Sequence, residues 1–156
     1  MVATHSGSVV KVHCSGAAPN YAQPWQMGEQ ENWSGSAFAM NLGSRWALLT
    51  NAHVVTNALT LYVTRQGCST KRRCYVIAIA HDLDLAIVGV DDKMFQQAVP
   101  ALTFTHVAPS LFADVHVMGY PEGGATLCMT KGASLTNTKL SSEKSRRLQR
   151  VHGWSG

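Results

Sequence analysis

Ser34-Gly35-Ser36-Ala37-Phe38-Ala39-Met40-Asn41-Leu42-Gly43-Ser44-Arg45-Trp46-Ala47-Leu48-Leu49-Thr50-Asn51-Ala52-His53-Val54-Val55 is the stretch that decides the fold. It reads as two short apolar strands, 35–41 and 46–50, joined through Asn41-Leu42-Gly43-Ser44, a run rich in turn formers. The second strand ends in Leu49-Thr50, and His53 follows between Ala52 and Val54. A histidine held just past a strand end, walled by small and apolar residues, has the makings of a general base. Taken without its context, it reads more simply as a histidine in a short connector.

A second signal lies 31 residues on, in His81-Asp82-Leu83-Asp84-Leu85-Ala86-Ile87-Val88. Two aspartates lead straight into an apolar strand, and Asp84 stands between leucines. A carboxylate pressed against apolar neighbours is costly unless a donor hydrogen-bonds it. An imidazole N–H is one such donor, and an aspartate that orients a histidine is a known catalytic arrangement. The plainer reading makes both aspartates turn residues at the end of a loop.

Three separated motifs now agree in identity and order. The Ser-Gly-Ser strand with Leu49-Thr50-Asn51-Ala52-His53-Val54-Val55 resembles the Deg/HtrA (protease Do-like) branch of the trypsin-like serine proteases. Asp84-Leu85-Ala86-Ile87 and Gly119-Tyr120-Pro121, with glycines close behind, match the same family. The likeness covers roughly residues 8–132. It implies that His53 is the catalytic histidine and that Asp84, rather than Asp82, is its orienting acid. His53 preceding Asp84 is also the trypsin-like order. The implied fold is all-β, a six-stranded Greek-key barrel over 8–106 followed by the first hairpin of an incomplete second barrel at 107–132. The implied activity is serine-type endopeptidase action on unfolded or damaged proteins, without a cofactor. Homo-oligomers and a C-terminal PDZ domain are common in the family, and no PDZ domain is visible in this sequence.

The family's nucleophile lies in a Gly-Asn-Ser-Gly-Gly segment, and residues 1–156 contain none. Gly153-Trp154-Ser155-Gly156 comes nearest, but arrives early and carries Trp where a small polar residue belongs. The chain is therefore expected to hold the base and its orienter while being inactive alone. A non-catalytic barrel that binds protein partners through unpaired strand edges is the alternative.

Composition agrees with one β-rich domain. Of 156 residues 46% are hydrophobic and 14% charged, enough for a sizeable core, and thirteen glycines and five prolines favour tight turns. No apolar run is long enough to span a membrane. Met1 to Ser6 lacks the charged-then-apolar pattern of a secretory signal, which points to an intracellular or organellar protein. The net charge of +4 belongs to the end of the chain. Residues 1–132 balance eight basic against eight acidic side chains, while 133–156 hold five basic residues and one acidic. That stretch reads as a disordered basic tail, as residues 1–7 read as a disordered start. A charge-neutral body without interleaved aromatic and basic residues argues against nucleic-acid binding. Cys14, Cys68, Cys74 and Cys128 form no metal pattern. A Cys68–Cys74 disulfide across the basic tip at 69–73 is open in an oxidising compartment, with reduced half-buried thiols as the favoured reading.

Between these landmarks the chain reads as a strand at 8–14 and a long surface loop at 15–33 pinned by Trp25 and Trp33. A helical turn at 52–56 and strands at 59–64 and 74–80 follow. Asp91 caps a helical turn ended by Pro100, and 101–104 closes the first sheet. A strand ending in a turn over 114–124 and a returning strand over 125–132 complete the reading.

Overall fold

A computed structural model describes residues 5–19, 23, 25, 27–121 and 124–134. Two compact units result, one comprising Met1–Phe104 with Val117–Thr130 and the other Thr105–His116 with Lys131–Gly156. The expected tail beyond Ser134 and the first four residues lie outside the described residues.

The first unit is built from β1 (Val9–Pro19), β2 (Met27–Leu42), β3 (Arg45–Thr50), β4 (Ala58–Arg65), β5 (Arg72–Arg73), β6 (Tyr75–Ala80) and β7 (Leu85–Gly89). They form one sheet in the order β5-β4-β1-β2-β3-β7-β6. β4-β1-β2-β3 is the Greek-key order, with the fourth strand returning beside the first. The two end strands are a single stretch of chain, parted only at Cys74, whose N–H donates to the Leu61 carbonyl at 3.0 Å. Residues 72–80 therefore pair with β4 at one end and β7 at the other. That continuity closes the sheet into the six-stranded barrel expected from the sequence. β8 (Asp114–Gly119) and β9 (Cys128–Ala133) form a separate two-stranded sheet, matching the expected hairpin.

Alternation explains the core. Val10, Val12 and Cys14 of β1, Ala37 and Ala39 of β2, Leu48 of β3, Leu61 and Val63 of β4, and Ala86 and Val88 of β7 all point inward and are buried. The short helix α2 (Lys93–Ala98) adds Phe95, which packs edge-on against Trp46 with ring centroids 6.3 Å apart. The Trp46 indole N–H donates to the Val99 carbonyl at 3.0 Å, so its polar edge is satisfied.

Four expectations need correction. Of the expected loop at 15–33, residues 15–19 and 27–33 instead continue the β1–β2 ribbon, with Ser15 opposite Asn32 and Gly16 opposite Glu31. Backbone ladders need no apolar alternation, so a polar ribbon looks like a loop in sequence. Gly16 marks its closest approach, because a Cβ there would come 2.0 Å from the Asn57 carbonyl oxygen. Trp33 packs on the core, but Trp25 stands 79% exposed and pins nothing. The cap of α2 is Asp92, not Asp91. Its Oδ1 accepts the N–H groups of Met94 and Phe95, the second and third helical residues, which only the immediately preceding side chain reaches. Finally, 101–104 contributes one parallel bridge, Leu102 to Met40, instead of a strand.

All four cysteines are free thiols. Burial pushes Cys14 up to about 11 and Cys74 up to about 12 from an ordinary 9.0, whereas the Thr70 backbone N–H draws Cys68 down. Iodoacetamide at pH 8, followed by mass mapping, is expected to label Cys68 first and exposed Cys128 next. Cys14 and Cys74 should react only at the rate of unfolding. Equal labelling of Cys74 and Cys68 in the folded chain would show that the barrel does not close there. Because both native thiol values are raised, the stabilisation is full below the unfolded value near 9.0. It is lost as pH climbs through the native values.

Candidate active site

β3 ends at Thr50, and Asn51 turns the chain into α1 (Ala52–Val55). Ala52, Val54 and Val55 are buried, so the turn is nailed to the barrel and His53 alone is left outward. The Val54 carbonyl is held from two strands, by the Trp33 indole N–H at 2.8 Å and the Cys14 thiol at 3.1 Å. Gly35 lies against the same turn. A Cβ there would come 2.7 Å from both Val54 methyl carbons, which explains the glycine within Ser34-Gly35-Ser36. Ser36 ties in two further segments, accepting the Thr50 hydroxyl at its carbonyl (2.8 Å) and the Tyr120 N–H at its Oγ (2.7 Å).

Asp84 arrives from the other side. A 3-10 turn, His81–Leu83, ends on Asp84 in the left-handed conformation (φ 52°, ψ 44°), which aspartate tolerates better than most residues. Its carboxylate meets the α1 turn. Oδ2 lies 2.7 Å from His53 Nδ1 and Oδ1 accepts the His53 backbone N–H at 2.9 Å. The Asn51 amide donates to Oδ2 at 3.1 Å. The His53 backbone N–H is the chief cause holding the Asp84 carboxyl below its ordinary 3.8, with the His53 and Asn51 side chains adding to it against desolvation. A depressed carboxyl stabilises the fold above its unfolded value and loses that contribution as pH falls through the native one.

The two residues singled out in the sequence are thus in direct contact, while Asp82 is exposed on the 3-10 turn and does not join them. The surroundings differ from expectation in one respect. Leu83 and Leu85 face outward, 49% and 39% exposed, so hydrogen bonds and not an apolar wall set the state of Asp84. An open hollow of about 580 Å³ lies over the pair, lined by Ala52, His53, Thr56, Asn57, His81 and Asp84. Asn51 and His81 were not singled out from the sequence. An asparagine before a helical turn reads as a cap, and His81 is three residues from an aspartate that needs no second histidine. Among the described residues no three His, Cys, Asp or Glu side chains gather as a metal site, and no helix is long and apolar enough to cross a membrane.

A family model described as a trypsin-like peptidase domain matches residues 35–153. The chain belongs to that family. Its relatives are Do-like (Deg/HtrA) proteases. It is 40% identical over 125 residues to protease Do-like 4, mitochondrial, of Arabidopsis thaliana, covering 80% of this chain and 23% of that protein. Protease Do-like 2, chloroplastic, of the same plant is 38% identical over 130 residues, covering 83% and 21%. The fold resembles the active form of the Rv3671c protease from M. tuberculosis, with TM-score 0.62 and 27% identity, over 83% of this chain and 48% of that one. The chain spans from 14% to 55% of the length of the curated relatives it matches. The family match also runs about twenty residues past the end of the likeness visible in the motifs.

Proposed function

We propose that this chain carries the general base, His53, and the orienting acid, Asp84, of a serine-type endopeptidase acting on unfolded or damaged proteins. The 2.7 Å contact between Asp84 Oδ2 and His53 Nδ1 supports this reading best. With the Nδ1 proton donated to the carboxylate, Nε2 keeps its lone pair and takes the proton of an attacking serine. The carboxylate fixes the tautomer and stabilises the imidazolium that forms. The serine and the oxyanion-hole amides belong, in this reading, to a second barrel bearing a Gly-Asn-Ser-Gly-Gly segment, which residues 1–156 do not contain. Binding through free strand edges is the weaker alternative, because an open edge gives no reason for the His53–Asp84 contact.

The 156-residue chain alone is therefore expected to cleave no fluorescent casein, and His53→Ala to change nothing. Cleavage abolished by His53→Ala would overturn the division of labour and direct attention to Ser155 or a serine from another subunit.

A further inference from the structure

We propose that Asn51 is a positioning residue that holds the carboxylate and the backbone of Asp84 together, and so keeps that carboxylate on His53. The proposal rests on reading His53 and Asp84 as the base and its orienter. Asn51 occupies the capping position of α1, where an asparagine side chain ordinarily accepts a free N–H of the first turn. Here it makes no such bond. The N–H it would cap, that of His53, is taken by Asp84 Oδ1 at 2.9 Å. The aspartate thus caps the turn from across the gap, and the displaced Asn51 amide turns to secure it. Asn51 Nδ2 lies 3.1 Å from Asp84 Oδ2 and 3.2 Å from the Asp84 carbonyl oxygen. One amide nitrogen therefore grips both ends of a residue in left-handed backbone, φ 52°. Without it, Oδ2 keeps only the imidazole, and both side chains are open to competing water, with His53 71% and Asp84 46% exposed.

The test is NMR on the 156-residue chain and its Asn51→Leu, Asn51→Ala and Asn51→Asp variants, with the core amides of Val12 and Leu48 reporting that each is folded. Asn51→Leu keeps nearly the same shape and removes the amide with its donor; Asn51→Ala serves if leucine does not fold. In either, the Asp84 carboxyl is expected to titrate at higher pH than in the parent. The His53 Nδ1 proton is expected to exchange with solvent about tenfold faster. Asn51→Asp should do more, since a second carboxylate both repels Asp84 and competes for the His53 N–H. Unchanged Asp84 titration and Nδ1 exchange in a folded donor-less variant would overturn the proposal, as would an Asn51→Asp chain that behaves like the parent. None of these readouts requires proteolysis. A completed protease indifferent to His53→Ala would overturn the catalytic reading and leave the Asn51 contact intact.

Discussion

Asp84→Asn, in a chimera where this chain is completed by the second barrel of a Do-like protease, is expected to lower kcat by about 10⁴. Three donors converge on the Asp84 oxygens: the His53 N–H, the His53 Nδ1–H and the Asn51 amide. A carboxylate accepts them all, whereas an asparagine must turn an NH₂ towards one. The imidazole can yield most easily, by moving its proton from Nδ1 to Nε2, and Nε2 is then occupied when the serine must give up its proton. On the proposed reading His53→Ala removes the base outright and is expected to cost on the order of 10⁶. Steady-state cleavage of a peptide substrate reads both changes. If Asp84→Asn keeps kcat within tenfold, the carboxylate is not orienting the base, whatever its distance.

The second large effect is on stability. Leu48 is fully buried and is among the bulkiest side chains of the barrel interior. It pairs with Ala39 on one side and Val88 on the other, joining β2, β3 and β7. Leu48→Ala is expected to lose about 3–5 kcal/mol, because small neighbours such as Ala37, Ala39 and Ala86 cannot swing in to fill the space. Against the roughly 5–15 kcal/mol that holds an ordinary domain, that is a large share. Met94→Ala, at a side chain 78% exposed, should stay within about 0.5 kcal/mol. Urea midpoints for the two variants decide the matter. A loss under about 1 kcal/mol for Leu48→Ala would mean that the barrel interior is not packed as described. The same cavity should loosen the site, since β3 leads into the His53 turn and β7 starts just after Asp84.

Much of this was legible in the chain itself. Val10 and Val12 announce β1 because a half-buried strand must alternate, while Leu48 and Val88 announce theirs by standing in short apolar runs bounded by polar residues. The His53 and Asp84 motifs stand out for a similar local reason, each being a polar residue set in an apolar frame at a strand boundary. The features that were missed are satisfied from far away in sequence. The ribbon at 15–19 and 27–33 is stabilised by backbone pairing between its two strands and leaves no mark in side-chain pattern. Closure of the barrel depends on one segment, 72–80, reaching two strands at once. Asn51 reads as a cap from its neighbours alone. Only when the left-handed turn at Asp84 brings a carboxylate onto the His53 N–H does its amide acquire a different partner, because a hydrogen bond answers to geometry across 33 residues and not to local propensity.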